Sequence, residues 1–144
     1  MAYFIINQYD SLENITVSKM ASKLYFVQRG TYSDKENMEN NMKEFTNYIY
    51  NVENNMYCTY IGISKSYTNA LKIQEFYKKT GYEVEIKEKV VDNNEFVKIL
   101  DEYDNLLSET EDEKAIEVIC NQVLSKYEEF KNEQHKNKQN TNKW

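Results

Sequence analysis

From Leu24 onward the chain alternates short apolar runs with amphipathic ones, and the alternation predicts a definite order of elements. LYFVQR (24–29) is strand-like, with Tyr25 and Val27 on one side and Leu24, Phe26 and Gln28 on the other. Met38, Met42 and Phe45 then recur at helical spacing, after a capping box of Ser33 and Glu36. NYIYNV (47–52) and MYCTYIGI (56–63) read as a hairpin turning at ENN. In the first of these, either Ile49 or the pair Tyr48 and Tyr50 faces the helices. Ser66 caps a second predicted helix, which buries Ala70, Ile73, Phe76 and Tyr77 and ends at Lys78, Lys79 and Gly81. Residues 82–91 set Val84 and Ile86 against Glu83, Glu85 and Lys87, as a half-covered strand does.

The flanks follow different patterns. Residues 1–23 open with the apolar run YFII and are read as an N-terminal strand or arm. Residues 92–131 carry two helical stripes. Asp92 and Glu95 open one through Phe96, Ile99, Leu100, Tyr103 and Leu107, and Thr110 and Glu113 open the other through Ile116, Ile119, Val123, Tyr127 and Phe130. They are read as a helical hairpin appended to the domain at 24–91. It packs against an edge of the sheet, pairs with another copy, or folds over the open sheet face and buries Phe26 and Tyr60 as core. Residues 132–144 are polar and are expected to be a disordered tail.

A shift of 32 residues lays Gly30 on Gly62, Asn37 on Asn69, Met38 on Ala70 and Phe45 on Tyr77. A fixed offset of this kind marks a duplicated supersecondary unit. The predicted class is therefore α+β, a four-stranded antiparallel sheet with two helices on one face and a helical hairpin after it. With both helices on one side, parity leaves Phe26, Gln28, Cys58, Tyr60, Glu83, Glu85 and Lys87 on the other. A flat surface joining an amide to aromatic rings suits carbohydrate, whose apolar faces stack on rings while hydroxyl and N-acetyl groups bond the amide.

Composition narrows the chemistry. The chain has 144 residues and a net charge of −6, which disfavours a strong sequence-independent grip on nucleic acid. Cys58 and Cys120 lack metal-type spacing and are expected as reduced thiols. The one histidine, His135, lies in the polar tail; no nucleophile–base set, phosphate loop or metal cluster can be assembled, so neither enzyme activity nor a cofactor is expected. The opening residues carry no basic leader and no run has the length of a membrane span, so synthesis in the cytoplasm is the expectation.

Two segments, VQRGTYSDKEN and YCTYIGISKSYTNALKIQEFYKKTGYEVEI, together resemble the SPOR domain, a sporulation-related family of peptidoglycan-binding modules with a ferredoxin-like or RNP-like sheet. The family pattern of Val-Gln-x-Gly, a small residue and an aromatic falls on Val27, Gln28, Gly30, Thr31 and Tyr32. Ile61 with Gly62, Asn69 with Ala70, and Gly81 with Tyr82 complete it, while Arg29 stands where the family has an aliphatic residue. The match covers about half of the chain. It implies an open sheet face that binds glycan strands stripped of stem peptides. Gln28 is the characteristic contact, Thr31 takes the place of the small residue, and Phe26 and Tyr60 offer rings. Gly30, Gly62 and Gly81 would be structural. The family places such modules at the septal or spore-envelope wall, and a phage particle is a further route there. The alternative is an interaction or structural module of a spore coat, phage or cytoplasmic assembly that has lost glycan binding and uses residues 92–131 to pair with a partner or itself. RNA-recognition sheets share this strand order. The acidic balance and the lack of a basic aromatic motif on the third strand argue against nucleic acid as a partner, and no membrane partner is expected.

Overall fold

The computed structural model describes the backbone of residues 21–142 and the side chains of residues 21–131. The YFII strand or arm lies outside the described residues. The order is β1 (Ser22–Tyr32), α1 (Lys35–Asn41), β2 (Ile49–Glu53), β3 (Met56–Ser64), α2 (Tyr67–Lys79), β4 (Glu85–Val91), α3 (Asn94–Glu109) and α4 (Glu113–Asn142). The strands form one antiparallel sheet in the order β2-β3-β1-β4, so the two equivalent strands of the duplicated units lie side by side at its centre. Gln28 and Tyr60, which the 32-residue offset superimposes, are partners in register.

Local chemistry fixes the boundaries, in places one residue away from the sequence reading. Asp34, not Ser33, caps α1, its Oδ1 accepting from Asn37 N at 2.7 Å. Asn93, not Asp92, caps α3 by accepting from Phe96 N at 2.9 Å. At α4 the carboxylate of Asp112 accepts from Ala115 N at 3.3 Å, while Thr110 accepts from Asp112 N at 3.1 Å. In each case an Asp or Asn side-chain oxygen accepts from a free N–H group of the first turn. Ser66 caps α2 as read, and Gly81 at φ +100° closes it, with Gly81 N bonded to Lys78 O and Tyr82 N to Tyr77 O. The β2–β3 turn places Asn54 and Asn55 at φ 53° and 63°, the left-handed pair that a two-residue hairpin needs.

Both faces of the sheet are covered. On one side Val27 and Gly62 meet α2 so closely that a Cβ at Gly62 would lie 3.0 Å from Ile73 Cγ2. Met38 and Met42 from α1 and Ala70, Ile73 and Tyr77 from α2 are buried in this layer, with Phe76 partly so. Tyr48 and Tyr50 lie with α1, since Lys35 and Glu39 act on Tyr48 and the Lys35 ammonium sits over the Tyr50 ring; Ile49 pairs with Tyr60 and is buried.

On the other side α3 and α4 fold back, and α4 packs along β3. The Phe26 ring stands edge-on to Tyr60 and to Tyr127, at centroid distances of 5.4 and 5.7 Å, and Tyr127 in turn meets Phe96 at 5.4 Å. Leu24, Leu100, Leu107, Ile116, Val123 and Leu124 join this cluster. The hairpin is thus the second half of the core rather than an appendage, because its apolar stripes need a surface and the sheet offers one. A buried polar knot latches it. Asp104 accepts from Ser64 Oγ at 2.5 Å, Lys65 N at 2.8 Å and Asn69 Nδ2 at 3.1 Å. Helix α4 also continues to Asn142, past residue 131 where the sequence reading began a disordered tail.

Candidate functional site

The expected site was a flat platform of Phe26, Gln28 and Tyr60 with Thr31 at its edge. The structure divides that set. Phe26 and Tyr60 are each 2% exposed, covered by the chain's own C-terminal helices, and cannot present ring faces to a flat ligand. This corrects the expectation of a bare sheet face. Gln28 is half-buried and Thr31 exposed, because β1 runs beyond the hairpin's cover.

Gln28, Thr31 and Tyr60 line one surface concavity of about 370 Å3 together with Cys58, Lys87 and Lys89. Its inner wall is an ion pair. Lys89 Nζ lies 2.7 Å from Glu53 Oε2, and the Tyr60 hydroxyl donates to the same oxygen at 3.0 Å. The Lys89 ammonium also sits over the rings of Tyr60 and Phe26, at 5.1 and 6.0 Å from their centroids. The hydrogen bond from Lys89 holds the Glu53 carboxyl below its ordinary value, while burial pushes the Tyr60 phenol well above its own. Both protons are therefore settled at neutral pH: carboxylate on Glu53, hydroxyl on Tyr60.

Two breaks in the β1–β3 ladder aim these residues. Ile61 has no partner between the Val27–Gly62 and Gln28–Tyr60 pairs, and Arg29 has none before the Gly30–Thr59 pair. The first puts Tyr60 on the side of Gln28 and Phe26 while Gly62 faces α2. The second turns Arg29 out of the ladder into a neighbouring concavity of about 490 Å3, lined by Gln28, Gly30, Lys78, Glu83, Val84 and Glu85.

Gln28 therefore separates two hollows at the end of the sheet that α3 and α4 leave uncovered. Lys89, Glu53 and Arg29 were not among the site residues expected from the sequence, where Arg29 entered only as a departure from the family pattern. Lys89 shares the parity of Lys87 and was legible in principle; Glu53 and Arg29 depend on the hairpin turn and the strand irregularities. Of the three glycines read as structural, Gly62 has the close helix approach and Gly81 the positive φ.

Hydrogen bonding with charge assistance is what this arrangement offers: an amide, two hydroxyls and paired ions along a shallow rim. His135 lies outside the residues whose side chains are described. Among the described residues no group of three or more His, Cys, Asp and Glu is placed to hold a metal ion, and no helix is long and apolar enough to cross a membrane. No protein-family model, curated protein or solved structure matches the chain.

Proposed function

We propose that this protein is a non-enzymatic module that binds peptidoglycan glycan strands freed of their stem peptides, at the end of the sheet that the C-terminal hairpin leaves bare. The observation that carries the reading is the meeting of Gln28, Thr31 and Tyr60 on one concavity, with the Gln28 amide at its rim. Since the rings of Phe26 and Tyr60 are covered, the contacts are hydrogen bonds from Gln28, Thr31, Lys87 and Lys89 to hydroxyl and N-acetyl groups rather than stacking. Such a shallow polar site binds weakly per module and needs a polymeric target for retention. A cell wall, at the septum or around a spore, is such a target.

A co-sedimentation assay on purified sacculi tests this. Capture should rise when an amidase has stripped the stem peptides and fall to background in Gln28→Ala. Equal capture by wild type and Gln28→Ala would overturn the reading.

The burial of Phe26 and Tyr60 favours a second reading, in which the module has lost glycan binding and serves as an interaction or structural part of a spore coat, phage or cytoplasmic assembly. Its signature is no capture by sacculi of either kind, with a stable oligomer seen by light scattering.

A further inference from the structure

Arg29 is the only arginine in the chain. Its Nη1 donates to the Glu83 carbonyl at 3.4 Å, and its guanidinium lies 5.3 Å from the Tyr82 ring centroid. These two contacts fix the plane of the group. Its Nε is shut off from solvent and has no acceptor among the described residues. Among the described residues Nη2 has no acceptor and, unlike Nε, is not sealed from solvent, so it is the nitrogen that can donate to a carboxylate oxygen. The hollow it borders, about 490 Å3, begins at Gln28 and has the exposed Lys78 on its rim. Glu83 and Glu85 also stand on that rim. Both are exposed, where water and salt weaken their repulsion of an anion, whereas Arg29 is half-buried.

We infer that Arg29 forms a carboxylate subsite beside Gln28, which takes the lactyl carboxylate that a muramyl sugar exposes once its peptide is gone. The inference rests on the glycan reading of Gln28 and adds to it the reason a stripped strand is preferred. A sugar seated at Gln28 extends its neighbour over the ridge into the Arg29 hollow. A stem peptide joined there would convert the anion to an amide and remove the charge that Arg29 attracts.

The test compares two probes, a GlcNAc–MurNAc tetrasaccharide with free lactyl carboxylates and its methyl ester, by NMR titration of the full chain. Wild type should bind the acid about tenfold more tightly than the ester, the scale of one charged hydrogen-bond pair. Arg29→Gln should bind both with the ester's affinity, and Arg29→Lys should recover part of the preference because it keeps the charge without the guanidinium's fixed plane. As the chain has one arginine, a single Nε–H resonance should move with the acid and stay still with the ester, a readout that needs no variant to fold. Equal binding of acid and ester, both lost in Gln28→Ala, would overturn the carboxylate subsite and leave the glycan reading standing. An acid preference that survives in Arg29→Gln would overturn it too. Failure of both probes to bind wild type would overturn both.

Discussion

Phe26 and Gln28 stand two residues apart on the same side of β1, in opposite surroundings. Phe26 lies under α4 among Tyr60, Tyr127 and Lys89, and it is part of the core. Gln28 lies past the hairpin's reach, half-buried and bordered by two hollows. One strand face thus serves the core at one end and borders two open concavities at the other. The difference comes from where the hairpin stops, and strand parity is identical at the two positions.

Changes on the covered half should be costly. Phe26→Ala removes a ring from a filled aromatic cluster and should destabilise the protein by about 3–5 kcal/mol in chemical denaturation. Gln28→Ala and Thr31→Ala should stay within about 0.5 kcal/mol of wild type. If Phe26→Ala cost no more than these, the hairpin would not be packed on the sheet as described.

The latch is next in size. Asp104→Ala leaves donors at Ser64, Lys65 and Asn69 without their acceptor in a site where Ser64 is 0% exposed. A loss of about 2–3 kcal/mol is expected. Hydrogen exchange should show opening concentrated in α3 and the start of α2 rather than in β1, and uniform opening would sever the latch from the hairpin.

The two cysteines report on the comparison without mutation. Cys120 sits on α4 itself, on the hairpin's buried side at 2% exposed, its thiol pushed up to about 12 by burial, with Asp104 and Glu117 adding to the effect. Cys58 lines the bare-end concavity; burial raises its thiol too, but less completely. A thiol reagent should modify Cys58 first and Cys120 only on unfolding, and bound glycan should slow the Cys58 reaction. Equal rates would mean the hairpin opens freely.

The smallest effect is electrostatic. The carboxyl of Glu53 is held down chiefly by the hydrogen bond from Lys89, so its folded value lies below the ordinary 4.5. The stability it adds is fully present above 4.5 and is lost as pH falls through the lowered folded value. With Glu53 about half exposed, the gain is small and screened. Thermal melts between neutral pH and pH ~3 should show a slightly steeper acid loss in wild type than in Lys89→Met. Identical slopes would remove the ion pair from the account.

Much of the architecture was written locally. The strand alternation, the helical stripes, the Asn pair in the hairpin turn and Gly81 at the end of α2 predict the element order and the α+β class, because each depends on residues within one or two turns of each other. Caps were legible to within one or two residues, since Ser33 and Asp34, or Asp92 and Asn93, offer the same acceptor chemistry side by side, and Thr110 stands two residues before Asp112. Residues far apart decided what the platform became. Phe26 meets Tyr127 and Ser64 meets Asp104 only once the chain has closed, and no pattern in either segment says which face an apolar helical hairpin will choose. Periodicity specifies that a stripe must be buried; the three-dimensional fit of α3 and α4 to the sheet determined what they buried and left Gln28 at the margin.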